Sequence, residues 1–191
     1  MAFSSNNVTN TILAIFLSCL IMNLMNINSA KSFFAKADLV DDVCSQTVID
    51  PNYCKTALRS DPRTSKANLP TLAQVAIDLA RSNTKSTITL VKSIEKKVTD
   101  RRLKGIYDTC LENYSDTSDN LDGCVTALKA KDYPTLNIRA SAALDGPSTC
   151  DEGFTEAKLS EPGQLKTSSR HVQELSSVIC NIANRLSAGR I

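Results

Sequence analysis

A repeat of mostly apolar residues between Arg101 and Lys131 constrains the fold of this chain more than any other feature. Its members recur at alternating steps of three and four residues, so at about 100° per residue they share one helical arc roughly 100° wide. A strand would need an apolar step of two, so the segment predicts one long amphipathic helix. The repeat consists of Leu103, Tyr107, Cys110, Tyr114, Thr117, Leu121, Cys124 (or Val125) and Leu128.

A row of carboxylates lies on the opposite side of the same predicted helix. Like charges four residues apart cost about 0.2–0.5 kcal/mol per pair, and Asp108–Glu112 and Glu112–Asp116 are two such pairs. Charge alone favours a solvated helix face, and a binding face is the alternative. We call this set the acidic row: Asp108, Glu112, Asp116, Asp119 and Asp122.

The composition of the whole chain favours packed helices. Trp is absent and aromatic residues make up 5%, so a core must come from Leu, Ile, Val and Ala. Helical spacing recurs in residues 70–98, in 136–144 and 149–157 on either side of Asp145-Gly146-Pro147, and in 168–188. We therefore predict an all-α fold, an up-down-up-down four-helix bundle over residues 68–188. A helical hairpin over residues 38–62 is expected to precede it, with Pro51 ending one short helix and Asn52 beginning the next.

The N-terminal segment predicts export of the protein. Residues Thr11 to Ile27 are almost continuously apolar and are followed by small residues, as in a secretory signal peptide. We expect cleavage after Ala37, with Ala30 as the competing site. An uncleaved membrane anchor is the alternative, because the run is close to the roughly 17-residue minimum for spanning a bilayer. Residues 1–37 are then a signal peptide, and residues 38–191 form one domain.

Charge and cysteine content narrow the class of partner and the compartment. The chain has 22 basic and 20 acidic residues, and loss of Lys31 and Lys36 with the signal peptide leaves 20 of each. A zero net charge predicts no nucleic-acid partner. Six cysteines remain after Cys19 is removed, and an even number in an oxidising compartment predicts disulfides, although six cysteines allow fifteen pairings. Cys44 and Cys54 are placed to close the hairpin.

Catalytic and metal-binding motifs are missing from the sequence. It contains no G-x-S-x-G, H-E-x-x-H, G-x-G-x-x-G or P-loop pattern, and no C-x-x-C pair. His171 is the one histidine, and it lies on the polar flank of the last helix, where we expect it to be exposed. Paired carboxylates occur in glycosidases, but a filled bundle without Trp offers little cleft and poor sugar stacking. We expect no enzymatic activity, no cofactor and no metal.

Two further surface features accompany the long helix. Five cations cluster at its start, Lys96, Lys97, Arg101, Arg102 and Lys104, and the simplest interpretation is a solvated turn. Asn113-Tyr114-Ser115 is an N-glycosylation sequon. Because Asn113 lies beside the acidic row, a glycan there would obstruct it.

Two sequence blocks carry a resemblance to a known family. Leu103 to Asp116 reads L-K-G-x-Y-x-T-C-x-E-N-Y-x-D, and Asp132 to Cys150 reads D-Y-x-x-L-N-I-x-A-S-A-A-x-D-G-x-x-T-C. With the early cysteine pair, these blocks resemble the plant invertase and pectin methylesterase inhibitor family. The resemblance implies a secreted four-helix bundle with an N-terminal hairpin, located in the apoplast at the cell wall.

The resemblance also implies a disulfide pattern, Cys44–Cys54 and Cys110–Cys150, with Cys124 and Cys180 free. Bundle geometry supports it, because the helices that carry Cys110 and Cys150 are consecutive neighbours. The helices that carry Cys124 and Cys180 are the second and fourth, which lie diagonally across the core. Adjacent helix axes are about 8–10 Å apart, and diagonal helices are roughly 1.4 times farther apart. A disulfide needs Cα atoms within about 7 Å, so a Cys124–Cys180 bond would have to pull the bundle together.

The function implied by the resemblance is non-catalytic inhibition of plant pectin methylesterase through a one-to-one complex that covers the enzyme's cleft. Carried over to this chain, the contact residues are Glu112, Asp116, Asp119, Asp132, Asn137, Thr149 and, in place of an aspartate, Glu152. The alternative target is a cell-wall or vacuolar invertase, which the family's other branch contacts through a Pro-Lys-Phe loop. This chain has Tyr133-Pro134-Thr135 there. A third possibility is a secreted helical carrier or allergen without an enzyme target, which would need an apolar internal cavity.

Overall fold

The computed structural model describes residues 38–47 and 49–189, and this part of the chain is entirely helical outside its links. The prediction of an all-α fold is confirmed. The predicted signal peptide lies outside the described residues, and none of the helices within them is both long enough and apolar enough to cross a membrane. The elements are α1 Leu39–Cys44, α2 Pro51–Arg59, a 3-10 helix Pro62–Lys66, α3 Leu69–Glu95, α4 Arg101–Lys129, α5 Tyr133–Glu156 and α6 Gly163–Ser187.

Side-chain caps explain where three of the long helices begin. The Asn68 carboxamide accepts a hydrogen bond from the Thr71 N–H at 3.0 Å, and Asp100 accepts one from the Leu103 N–H at 2.8 Å. Asp132 does the same for the Thr135 N–H at 3.1 Å. Each cap satisfies one of the N–H groups that the first turn of a helix leaves without an intrahelical partner.

The four long helices form the predicted bundle. Helix α4 packs against α3 and α5, and α6 packs against the same two helices, so α4 and α6 lie diagonally opposite. Links of three to six residues join consecutive helices, which makes neighbours antiparallel. Cys110 and Cys150 join α4 to α5 with their Cα atoms 4.7 Å apart, and Cys44–Cys54 closes the hairpin. These are the pairs that the family resemblance implies.

Cys124 and Cys180 are free thiols. Cys124 is buried, and burial raises its pKa to about 12. Burial also raises the pKa of Cys180, which is half buried between α5 and α6. Both groups therefore stay protonated near neutral pH and behave as small apolar side chains.

The buried side chains form two clusters, one at each end of the bundle. The hairpin-end core is mostly aliphatic and draws on all six helices, including Leu58, Leu72, Leu121, Leu136 and Ile179. The second cluster, which we call the aromatic core, draws on the four long helices only. Its members are Val91, Tyr107, Cys110, Tyr114, Cys150, Phe154, Leu165 and Val172, with the rings of Tyr107 and Phe154 in edge contact at 5.4 Å.

The hairpin is held on α6 by polar contacts. The Asp50 N–H donates to the carboxylate of Glu174, a fully buried residue, at 2.8 Å, and Arg185 pairs with Asp42 at 2.7 Å. The ring of Tyr53 stacks on that of His171 at 3.7 Å. His171, which we expected to be exposed, is therefore half buried, and this burial lowers its pKa. The expectation was wrong because the hairpin covers this part of the last helix.

Helix α5 differs from the prediction, because it runs unbroken from Tyr133 through Pro147. Gly146 lies against α4, where an added Cβ would overlap the Thr117 hydroxyl and lie 2.5 Å from the Asn113 carbonyl oxygen. The glycine is thus a helix-packing position, and Pro147 is buried in the helix. A proline inside a helix costs about 3 kcal/mol, and close packing together with the Cys110–Cys150 bond offsets this cost.

Three predicted boundaries also shift. Pro51 begins α2 and does not end α1, which stops at Cys44, because a proline ring suits the first helical position. Helix α5 starts at Tyr133 and not at Leu136, because Asp132 caps it. Helix α6 starts at Gly163, five residues before the predicted start, within the stretch that was expected to be a loop.

Candidate functional site

The Cys110–Cys150 disulfide sets the register between α4 and α5. It brings the backbones together near the start of α4 and the end of α5, and Cys124 lies against the Leu136 carbonyl about four turns away along both helices. Residues at equal distances from the disulfide on the two antiparallel helices therefore lie at the same level. Glu112 and Thr149, close to Cys110 and Cys150 respectively, share one level.

The acidic row is exposed to solvent along α4. Glu112, Asp116 and Asp119 are all exposed, and none of them forms an ion pair with another described residue. Asp122 differs, because its carboxylate pairs with Arg81 of α3 at 2.6 Å. The row thus has three unpaired carboxylates in its middle and a fourth, Asp108, at its start, and its last member is tied to the neighbouring helix.

The predicted contact residues of α5 do not share one face. Thr149 and Glu152 are exposed near the end of the helix. Asn137 lies towards α6, where its side-chain N–H group donates to the Cys180 carbonyl at 3.2 Å and to the Asn184 side chain at 3.1 Å. Asp132 is exposed at the opposite end of α5, where hydrogen bonds from the Thr135 hydroxyl and N–H lower the pKa of its carboxyl. Asn137 and Asp132 therefore have structural contacts of their own.

A groove between α4 and α5 escaped the sequence analysis. It has a volume of about 470 Å³ and follows the Cys110–Cys150 bond. Gly105 and Gly153 line it, one on each helix, and the absence of their side chains keeps it open. An isolated glycine inside a helical pattern often has a packing or functional reason, and this was the available signal. The other lining side chains include Arg102, Ile106, Thr109, Thr149 and Glu156.

A half-buried carboxyl pair lies where the link to α6 closes over the aromatic core. Asp151 accepts hydrogen bonds from the Ser169 hydroxyl at 2.6 Å and from the Gln173 side chain at 2.9 Å. Burial, together with the neighbouring Asp151 carboxylate, raises the pKa of Glu161 to about 7. One oxygen of Glu161 is buried without a hydrogen-bond partner. A protonated Glu161 can donate to Asp151, which explains how two adjacent carboxyl groups are tolerated.

Two other predicted features have clear positions. Asn113 is half buried, and its side-chain N–H group donates to the Thr109 carbonyl one turn earlier in α4 at 3.0 Å. A glycan on Asn113 would project beside the groove. Among the described residues, no three His, Cys, Asp or Glu side chains lie close enough together to hold a metal ion.

Comparison with known proteins identifies the family. The sequence model of the family described as "Plant invertase/pectin methylesterase inhibitor" matches residues 38–182. The chain belongs to this family. Its members are named as inhibitors, so the protein is not an enzyme.

Individual relatives cover nearly the whole chain. A pectinesterase inhibitor from Actinidia deliciosa is 36% identical over 97% of this chain and 98% of its own length. "Cell wall / vacuolar inhibitor of fructosidase 2" from Arabidopsis thaliana is 26% identical over 94% of this chain and 99% of its own length. The crystal structure of a mutant form of an Arabidopsis pectin methylesterase inhibitor has a TM-score of 0.70, with 26% identity, and covers 78% of this chain and 97% of its own.

Proposed function

We propose that this protein is secreted and inhibits plant pectin methylesterase by forming a one-to-one complex through the exposed side of α4 and α5. The observation that carries the proposal is the set of unpaired, exposed carboxylates Glu112, Asp116 and Asp119 on a family member whose 36%-identical relative is a pectinesterase inhibitor. The cleft of a pectin methylesterase must accept a polyanion. A helix that presents regularly spaced carboxylates is complementary in charge to that same cleft.

Electrostatic complementarity of this kind chiefly accelerates association and fixes orientation. Thr149 and Glu152 on α5 extend the proposed surface past the disulfide. Asp132 and Asn137, which make structural contacts, contribute mainly by holding the start of α5 and its packing on α6. This division of roles is itself testable, because loss of Asn137 should lower stability more than it lowers affinity.

The local structure of the α4–α5 link favours pectin methylesterase over invertase as the target. Tyr133 and Pro134 belong to the first turn of α5, so the link itself consists of residues 130–132 only. Tyr133-Pro134-Thr135, which replaces the Pro-Lys-Phe motif of the invertase branch, therefore forms a capped helix turn and is not free to enter the cleft of an invertase as a loop. Invertase remains the second candidate, because the Arabidopsis fructosidase inhibitor matches this chain over nearly its full length.

The decisive experiment is a titration of the purified protein into a plant pectin methylesterase while methanol release is followed. A parallel assay measures sucrose hydrolysis by a plant invertase. Complete inhibition at a molar ratio of one in the first assay, with no effect in the second, is the expected result. Full methanol release at equimolar protein contradicts the proposal, and loss of sucrose hydrolysis supports the second candidate.

A charge-neutralised variant tests the proposed surface. Combining Glu112→Gln, Asp116→Asn and Asp119→Asn should weaken inhibition about tenfold or more, chiefly through slower association. Asp122→Asn is the matched control, because it removes a carboxylate of the same row that Arg81 already neutralises. Equal effects of the two variants would exclude a specific role for the three unpaired acids.

Secretion has its own test. Expression of the full chain in plant cells, followed by N-terminal sequencing of the protein recovered from the wall fluid, should identify a start at Asp38. A start at Lys31 identifies Ala30 as the cleavage position, and retention inside the cell contradicts export.

A further inference from the structure

Positive charge is concentrated at one end of the bundle. Residues 92–104 contain six Lys or Arg residues, whereas residues 105–128 contain none and include all five members of the acidic row. Lys96, Lys97, Arg101 and Arg102 are exposed and form no ion pair with the described residues. Lys104 is paired with Glu95 at 2.9 Å. We call Lys96, Lys97, Arg101 and Arg102 the basic end; Lys92, which is also exposed and unpaired, lies one turn earlier in α3.

Two of these cations occupy positions that are unfavourable for the helix. Arg101 and Arg102 begin α4, and its first turn contains no acidic residue. The N-terminus of a helix carries partial positive charge, so cations there oppose the helix dipole. The nearby carboxylate of Asp100 accepts the Leu103 N–H and does not pair with either arginine. The chain therefore holds a local accumulation of positive charge that its own residues do not neutralise.

The acids nearest to the basic end leave it open. Glu95 is occupied by Lys104, and Asp100 caps α4. Glu156 lines the same groove as Arg102, and no ion pair joins the two. Lys158 and Lys166, at the end of α5 and in the first turn of α6, are balanced by acids of the same segment, since Lys166 interacts electrostatically with Glu161 and Glu152 lies nearby in the sequence. An external anion is the available partner.

We propose that the basic end binds de-esterified pectin, a polymer of galacturonate carboxylates, and so anchors the inhibitor on the polysaccharide that its target enzyme modifies. The choice of polymer rests on the proposed function, because that enzyme's product carries closely spaced carboxylates. Arg side chains bind carboxylates through two parallel hydrogen bonds, and Lys adds a point charge.

The basic end and the three acids Glu112, Asp116 and Asp119 are far enough apart to act separately. At 1.5 Å per residue, about 15 Å of helix axis separate Arg102 from Glu112, and about 25 Å separate it from Asp119. The Debye length is about 8 Å at physiological ionic strength, so each surface is largely screened from the other. A polyanion on the basic end therefore leaves the three acids of the proposed enzyme-contact surface free, whereas Thr149, which lines the same groove as Arg102, is closer to it.

The test measures binding of the purified protein to polygalacturonate without any enzyme, by titration calorimetry at several salt concentrations. Fully methyl-esterified pectin, which lacks the carboxylates, is the ligand control. The wild-type protein should bind polygalacturonate with an affinity that falls steeply as salt rises, and it should not bind the esterified polymer. Absence of binding to polygalacturonate at low salt overturns the proposal.

Two variants of equal charge separate a defined site from net charge. Combining Lys97→Gln, Arg101→Gln and Arg102→Gln should weaken binding about tenfold or more. Combining Lys66→Gln, Lys85→Gln and Lys129→Gln, which removes three exposed and unpaired cations elsewhere, should change it by less than about twofold. Equal losses in both variants overturn the proposal, and so does tighter binding to anionic phospholipid vesicles than to polygalacturonate.

The thermal stability of the basic-end variant and the inhibition of the enzyme by a related double variant are two further measurements that do not depend on polymer binding. The basic-end variant should melt at the same temperature as the wild type or above it, because two charges that oppose the α4 dipole are gone. The double variant Lys97→Gln with Arg101→Gln, which keeps the groove residue Arg102, should also retain inhibition of pectin methylesterase on a short, soluble substrate. If the wild type binds polygalacturonate but does not inhibit the enzyme, the proposed function fails and the anchoring surface stands.

Discussion

The two ends of the bundle are stabilised in different ways. The hairpin-end core is assembled from six helices and is sealed by α1 and α2, which lie on α6. The aromatic core has four helices around it, one disulfide between two of them and a half-buried carboxyl pair where the α5–α6 link closes over it. Each end contains one disulfide, Cys44–Cys54 in the hairpin and Cys110–Cys150 beside the aromatic core, so the ends differ in the length of the closed loop and in the carboxyl pair. Stability at the aromatic end should therefore depend more on reduction and on rising pH.

Removal of each disulfide gives the largest contrast between the two ends. Cys110–Cys150 spans 40 residues and Cys44–Cys54 spans 10. The chain-entropy relation then assigns about 4 kcal/mol to the longer loop and about 3 kcal/mol to the shorter one. Urea unfolding of the two double Cys→Ser variants measures both. A larger loss for the hairpin pair would reverse the comparison.

Close helix packing next to the aromatic core gives the second effect. Gly146→Ala should destabilise the protein by about 1–3 kcal/mol, because the new methyl group overlaps Thr117 and forces α4 and α5 apart. Gly105→Ala is the matched control, since nothing lies within 4 Å of its added Cβ, and it should gain about 0.5–1 kcal/mol from helix propensity. Thermal unfolding of both variants measures the difference. A stabilised Gly146→Ala protein would mean that the two helices can separate at no cost.

The carboxyl pair predicts a pH dependence that arises at the aromatic end. The pKa of Glu161 is raised from 4.5 to about 7 by burial and by Asp151, so the folded protein keeps a proton that the unfolded chain loses. The contribution of Glu161 to stability should be complete below pH 4.5, should be lost as pH rises to about 7, and should then level off. The fall should amount to about 1 kcal/mol, because solvent screens a partly exposed pair.

Glu161→Gln should abolish this fall, because the amide cannot ionise and can still donate to Asp151. Glu156→Gln, at an exposed position near the end of the helix that carries Asp151, should leave it intact. Urea unfolding between about pH 4 and 8 records the profile of each protein. A Glu161→Gln profile identical to that of the wild type would show that the pair does not share a proton.

The smallest expected effect should be equal at the two ends. Lys131 and Lys158 follow the ends of α4 and α5 with φ of 57° and 55°, a conformation that suits glycine. Lys131→Gly and Lys158→Gly should each stabilise the protein by about 0.5–1 kcal/mol by relieving local backbone strain. Differential scanning calorimetry compares them. Unequal gains would indicate that these turns are coupled to the cores beside them.

Features with a local cause were predictable from the sequence. The helix from Arg101 onward follows from its apolar period, and the exposure of the acidic row follows from the same period. The start of α5 at Tyr133 was missed, although Asp132 in front of it is a capping residue. Features that depend on a partner helix were not predictable. Gly146 and Pro147 look like a break until α4 is packed against them.

The residues of the candidate site also divide into those that were predictable from a local pattern and those that depend on a partner helix. The exposure of Glu112, Asp116 and Asp119 was accessible from periodicity. The contact of Asn137 with α6 was not, because its partners Cys180 and Asn184 are 43 and 47 residues away in the chain. The raised pKa of Glu161 depends on how the α5–α6 link closes over Asp151, and no spacing in the sequence contains that information.

The attachment of the hairpin to α6 has a consequence for synthesis of the protein. Asp50 contacts Glu174 across 124 residues, and Asp42 contacts Arg185 across 143. A ribosome releases the chain from its N-terminus, so the hairpin emerges first while its partners are made last. Long-range contacts of this kind form only after intervening loops have closed. The first helices to leave the ribosome are therefore among the last to reach their final position.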